Sequence, residues 1–325
     1  LVDNLVLARR RALHRSFEKR KWSDIQKDAN KWREFEETVL ERLERAIGKK
    51  TNEKPMMMEW PEQKEIDPYA VVVSPTDFHW GKYGWSFEVG GEGYDFKIAR
   101  QRLFDKTKEL VSRLPGKPEK IILATGSDWF HIDNDYGTTT KGTPQDMAGS
   151  PAQILLTGCE LAKQHIELLR QVAPVEVVFM PGNHDRYSTL SLGLFLKATY
   201  SEADDVEVFY NPGQRWYCQY GNTLLGFTHG DQTKAATLPY LMADEKRKMW
   251  GDCEHKVWFT GHLHHQMVKE LGGAILIQLP SLAGHDRYHS RKGYVMSKAG
   301  LCVHLIDYEK GLIGNMFAPV RVEHG

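Results

Sequence analysis

Seven residues of metal-ligating type stand in five short clusters along the chain: Asp77 with His79, Asp128, Asn183, His229, and His262 with His264. Carboxylate, amide and imidazole donors in that mixture suit a divalent ion, manganese first, with zinc or iron as alternatives. Seven donors exceed what one tetrahedral ion needs. They fit two ions roughly 3.5–4 Å apart that share one carboxylate. Two cations so placed neutralise phosphate oxygens and lower the pKa of a shared water, which can then attack in line. Taken alone, a D-x-H or a G-N-H-D is most often a turn. All five clusters together, each following an apolar run, point to a metal centre.

The elements that must position these donors are legible as the runs before them. Ala70–Val73 leads to Asp77, Ile121–Ala124 to Asp128, and Val177–Met180 to Asn183-His184-Asp185. Leu224–Thr228 leads to His229, and Val257–Thr260 to His262. Such runs read as buried strands with ligands at their carboxyl ends. On a continuing strand Asp77 and His79 face the same side, as do His262 and His264. Helical stretches over about 96–113 and 151–172 separate the first three strands. Beyond about residue 206 the strands follow one another more closely, including Ala274–Leu279 and Leu301–Ile306. The pattern predicts an α/β domain of two packed mixed β-sheets flanked by helices. The Gly/Thr-rich segment 133–150 is long enough to be a functional lid.

Residues 1–48 read differently. Trp22, Ile25, Ala29, Trp32, Phe35, Val39, Leu43 and Ala46 step by three or four, as on one face of an amphipathic helix. A second helical stretch, about 4–20, carries Arg9, Arg10, Arg11, Arg15, Lys19 and Arg20. Segment 49–68 is polar, holds Pro55, Pro61 and Pro68, and reads as a linker. The expected organisation is a helical extension (1–48), a linker (49–68) and a catalytic domain (69–325). So apolar a stripe needs a partner surface: the catalytic domain, a second copy or another protein, with homo-oligomerisation through these helices the favoured expectation.

The 43 basic residues balance the 43 acidic ones, so overall charge argues for neither a nucleic-acid nor a membrane partner. No apolar run of about 18 residues exists, and no membrane association is expected. The chain opens on Leu1, and no signal-peptide pattern is visible. Cys159, Cys218, Cys253 and Cys302 form no C-x-x-C pair. They read as buried free thiols of a reducing compartment, which implies a cytoplasmic location.

The ordered set Asp77-Phe78-His79, Gly126-Ser127-Asp128, Gly182-Asn183-His184-Asp185, His229-Gly230 and Gly261-His262-Leu263-His264 resembles the calcineurin-like metallophosphoesterase superfamily. The likeness spans about residues 69–310. It departs from the family pattern at one place, where Ser127 is inserted between the glycine and the aspartate of the second motif. The bridging role of Asp128 therefore rests on strand position, with Asp133 as the rival acid. The stretch from Asp128 through Trp129-Phe130-His131 to Gln145-Asp146 also looks like metallophosphoesterases of phages and prophages.

The resemblance implies one ion held by Asp77, His79, Asp128 and His264. It implies a second held by Asp128, Asn183, His229 and His262. His184 then looks like the acid for the leaving group, with Asp185 orienting or charging its ring. His131 could reach substrate or serve packing and hydrogen bonding around the ligands. Arg287 and His289, in the charged segment 279–298, could contact the phosphate or belong to a solvated loop. His265 should point away from the ions. The function implied is a two-metal phosphoester hydrolase, a phosphodiesterase or nuclease acting on DNA or RNA through a metal-activated water. The alternative is a phosphomonoesterase or cyclic-nucleotide phosphodiesterase on a small substrate. A third reading, a helical interaction module on an inactive domain, sits poorly with a complete ligand set.

Overall fold

The apolar runs form the centres of two sheets. In the computed structural model, which describes residues 54–60, 66–89, 92–210, 212–284 and 298–320, β1 (Tyr69–Val73), β2 (Lys120–Gly126), β3 (Val175–Met180) and β4 (Val206–Phe209) lie parallel. β10 (Gly300–Asp307) and β11 (Gly311–Pro319) extend the free edge of β1 antiparallel, giving the order β11-β10-β1-β2-β3-β4. The second sheet has the order β5-β6-β7-β9-β8. Its strands are β5 (Arg215–Tyr220), β6 (Thr223–Thr228), β7 (His255–Thr260), β8 (Met267–Leu271) and β9 (Ala274–Gln278). There β6, β7 and β9 run parallel and the two outer strands antiparallel.

The sheets face each other. Val72, Ile122, Ala124 and Val178 of the first pack with Leu225, Phe227, Val257, Phe259 and Ile277 of the second in one core. Strands covered on both faces need apolar residues at every position, which is why the runs are continuous and not alternating. Helices α2 (Phe96–Val111), α3 (Pro151–Arg170) and α4 (Arg186–Thr199) lie against the first sheet. Leu238 and Met242 of α5 (Leu238–Glu245) pack with Leu224, Trp258 and Leu276 on the outer face of the second, beside α6 (Arg247–Asp252). A short α1 (Ser86–Val89) precedes α2. Asp95 caps α2 by accepting from the Ile98 N–H at 2.9 Å, and Ser150 caps α3 ahead of Pro151. The architecture is the expected α/β arrangement of two mixed sheets flanked by helices.

The proposed helical extension, residues 1–48, lies outside the described residues, and with it the stripe expected to drive self-association. Of the linker, residues 54–60 and 66–68 have no regular structure, and Met58 N–H donates to Gln171 O at 2.7 Å. The four cysteines are free thiols. Among the described residues, no helix is long and apolar enough to cross a membrane.

Candidate metal centre

The donors meet because β1, β2, β3, β6 and β7 all end at the same edge of the two packed sheets. Each strand stops before its ligand: β1 at Val73, β2 at Gly126, β3 at Met180, β6 at Thr228 and β7 at Thr260. The expectation that D-x-H and G-H-x-H lie on continuing strands is therefore corrected. Asp77 (φ 52°) and His79 (φ 51°) are both left-handed, as are His262 (φ 73°) and His264 (φ 54°). In Asp77-Phe78-His79, two left-handed residues flanking Phe78 bring Asp77 and His79 together without a pleat. Ser127 (φ 56°) and Asp128 (φ 63°) complete the set of six non-glycine residues with positive φ among those described. Such backbone costs about 1–3 kcal/mol per residue and persists where surrounding structure enforces it. The enforcement here is a ladder between loops: the N–H groups of Asp77, His79 and Trp80 donate to the carbonyls of Ser127, Asp128 and Trp129 at 2.8, 2.9 and 2.7 Å.

Three convergent groups of donors result among the described residues, the ligand atoms of each within 4.8 Å of one another. One is all histidine: His79, His131 and His184. Two contain carboxylate: Asp77, His79 and His264 form one, and Asp77, Asp128 and His229 the other. His79 Nε2 faces His264 Nε2 at 3.3 Å, and His264 Nε2 lies 3.1 Å from Asp77 Oδ1. His229 Nε2 lies 2.9 Å from Asn183 Oδ1 and 3.3 Å from Asp128 Oδ2. Lewis-basic atoms aimed at common points fit cations, and the oxygen–nitrogen donor set fits the first-row divalent ions. The carboxylate common to both groups is Asp77, whereas Asp128 stands with His229. The His262 ring packs edge-on against His229 at 5.0 Å between centroids, and its backbone N–H donates to Asp77 Oδ2 at 2.8 Å.

The electrostatics follow from burying charges together. Burial alone would raise the Asp77 pKa, but the charge and hydrogen bond of His264 outweigh it and hold the carboxyl below its ordinary range. Asp128 is likewise held down, against burial, by His229 and His184. Burial disfavours charge on His229, yet the Asp128 carboxylate lifts its pKa to about 9. His79 is pushed well below its usual value by burial and by His184, His264 and His131 around it.

His184 and Asp185 part company. The His184 ring donates from Nδ1 to the carbonyl of His131 at 2.9 Å. A carbonyl accepts only, so Nδ1 keeps its proton and Nε2 is the nitrogen that can gain or release one. Asp185, expected to orient or charge this ring, does neither. Its carboxylate accepts from the backbone N–H groups of Gly182 (2.9 Å), Phe130 (3.1 Å) and Asp128 (3.2 Å), locking two ligand loops together. Burial and the Asp128 charge raise its pKa to about 7.

Because Asp185 is so engaged, it leaves the start of α4 uncapped, and Asp133 does that work. Asp133 Oδ1 accepts from the N–H groups of Tyr187 (3.0 Å) and Ser188 (2.9 Å), and Oδ2 from the Thr140 hydroxyl. The rival to Asp128 is thus a helix cap that also ties down segment 133–150. His131 is buried beneath the ligands, its Nδ1 3.3 Å from His79 Nδ1, a position beside a ligand and not at an open substrate surface. His265 is exposed, with Nδ1 on Leu263 O, away from the donors. Arg287 and His289 lie outside the described residues. Two supporting residues were not expected at the site: Ser281, whose hydroxyl donates to Asp77 O and which no motif announces, and Ser127, seen in sequence only as an insertion in its motif and here in contact with His229.

No protein-family model matches the sequence, and a search of curated proteins found no relative. Among solved structures the chain is similar to Vps29 of Chaetomium thermophilum, at 13% identity over 78% of this chain and 97% of that one, TM-score 0.35. It is similar to an archaeal phosphodiesterase, at 12% identity over 78% and 99%, TM-score 0.34. It is also similar to Vps29 of Entamoeba histolytica complexed with zinc, at 14% identity over 77% and 98%, TM-score 0.33. The functional reading rests on the residues and geometry above.

Proposed function

We propose that the chain is a metal-dependent phosphoester hydrolase of the calcineurin-like type, acting as a phosphodiesterase or nuclease on nucleic acid. The observation that carries the reading is the pair of donor groups sharing Asp77, built from strand-end loops in which Asp77, His79, Asp128 and His264 are held in left-handed backbone. Bound there, two divalent cations would supply charge neutralisation for the phosphate oxygens and a water of lowered pKa. Asp77, His79 and His264 would hold one ion, and Asp77, Asp128, Asn183 and His229 the other, with His262 beside His229. Asp185 and the Asp128 side chain keep the loop after β3 in place, since Asp128 Oδ1 accepts the His184 N–H at 2.7 Å. That bond sets His184 next to the donors. In its doubly protonated form, His184 gives the Nε2 proton to the departing oxygen while Nδ1 stays bonded to His131 O.

The test is an assay of metal-stripped and manganese-reconstituted protein across single-stranded DNA, duplex DNA, RNA, cyclic nucleotides and phosphomonoesters. Chelation should abolish hydrolysis and Mn²⁺ should restore it. Full activity in metal-free protein refutes the metal reading, and turnover of phosphomonoesters alone replaces the diesterase assignment with the small-substrate one.

A further inference from the structure

Ser127, the residue that interrupts the second motif, is the hub of the ligand loops. Its side chain is fully buried, and its hydroxyl oxygen lies 2.8 Å from Nδ1 of His229. Its N–H donates to Met180 O, and its carbonyl accepts the Asp77 N–H at 2.8 Å. A Cβ at Gly261 would come within 3.0 Å of its hydroxyl, so the loop after β7 is closed over it as well. One residue thereby touches the loops after β1, β6 and β7 and the last residue of β3. Its left-handed backbone is an odd place for serine, and glycine would sit there without strain. Something other than backbone geometry accounts for a side chain at this position.

An imidazole ligates through a lone pair, and a neutral ring that ligates through Nε2 carries its proton on Nδ1. Here that Nδ1–H is buried, and a buried N–H without an acceptor is costly. The Ser127 hydroxyl is the acceptor within reach. Resting on the metal-centre reading above, we propose that Ser127 is a positioning residue that keeps a proton on Nδ1 of His229, so that Nε2, facing Asp128 and Asn183, is the nitrogen left to bind a metal. Without the hydroxyl, the ring either leaves a buried N–H unpaired or moves the proton to Nε2, where it blocks ligation.

The test is zinc binding by titration calorimetry on the full chain, with no substrate present, for wild type, Ser127→Ala and Ser127→Gly. The glycine variant removes the hydroxyl while easing the backbone, so loss of fold and loss of the hydrogen bond are separated. Both variants should weaken one of the two zinc-binding steps by about 10–100-fold, leaving the other within about threefold. Nitrogen-15 NMR of the zinc-loaded wild type should place the His229 proton on Nδ1, a measurement that needs no variant. Unchanged binding at both steps, equal weakening of both, or a wild-type proton on Nε2 would each overturn the assignment. Wild-type protein that takes up no zinc would instead overturn the metal-centre reading, and this assignment with it.

Discussion

Gly182 offers the sharpest test of how closely the centre is packed. A Cβ placed there would stand 1.9 Å from Asp128 Oδ1, 2.4 Å from Asp128 N and 2.7 Å from Asp128 Cγ. Real Cβ contacts stay beyond 3.0 Å, so Gly182→Ala forces a separation of about 1.1 Å more between the two loops. Rotating the Asp128 side chain relieves only part of the clash, because the backbone nitrogen is also too close. The Gly182 N–H is bonded to Asp185, so the glycine side cannot yield cheaply either. Overpacking of this kind costs about 1–3 kcal/mol of stability. A displacement of about 1 Å at a reacting centre costs on the order of 10²-fold in rate. Metal content per chain by mass spectrometry and kcat/KM on a nitrophenyl phosphodiester would measure the effect. Gly251→Ala, where a Cβ meets nothing within 4 Å, is the matched control. Wild-type metal content and rate in Gly182→Ala, with the fold intact, would refute the close approach that the structure gives these loops.

Asp128→Asn should lose bound metal, whereas Asp133→Asn should keep it and lose about 1 kcal/mol of stability as a weakened helix cap; metal counts and thermal melts on the two variants decide. His184→Asn should slow esters with poor leaving groups by about 10²–10⁴-fold and nitrophenyl esters less, with metal content unchanged; equal losses on both would reassign the residue. His304 lies in the core with neither ring nitrogen partnered among the described residues, and burial pushes its pKa from 6.5 to about 3. Folding holds the ring neutral, so its contribution is intact above pH 6.5 and stability falls as the pH drops toward 3. Between pH 7.5 and pH 5 that is a loss of about 2 kcal/mol, absent in His304→Leu. Urea unfolding at the two pH values checks it, and an identical loss in both proteins would refute it.

The parallel strands were legible because burial on both faces demands unbroken apolar runs, and Ala70–Val73 and Val177–Met180 satisfy that demand visibly. Edge strands such as β8, with Lys269 and Glu270 in solvent, carry no such run and escape notice. Asp77, His79, Asp128, His229 and His264, which the structure brings together, were legible because each sits in a motif of fixed spacing. Their geometry was not, since a period of two predicts a pleat and cannot foresee that Asp77 and His79 adopt left-handed backbone. Asp185 and Asp133 both depart from their expected duties for a related reason. Which backbone N–H groups lie near a carboxylate depends on how the loops fold over one another, and adjacency in sequence made Asp185 look like the partner of His184. Ser127 left a trace, as the extra residue in its motif, but nothing in one dimension connects it to His229, 102 positions away.

The left-handed loops also bear on how ions would come and go. In many small metalloproteins the unloaded chain is unfolded, and the ion supplies the folding energy. Here two sheets and a ladder of backbone hydrogen bonds hold the donors in place, so folding would not depend on loading. A chain built this way would release an ion and take one up again while folded. Which ion it carries would then answer to local supply at each exchange and not to what was present when the chain first folded.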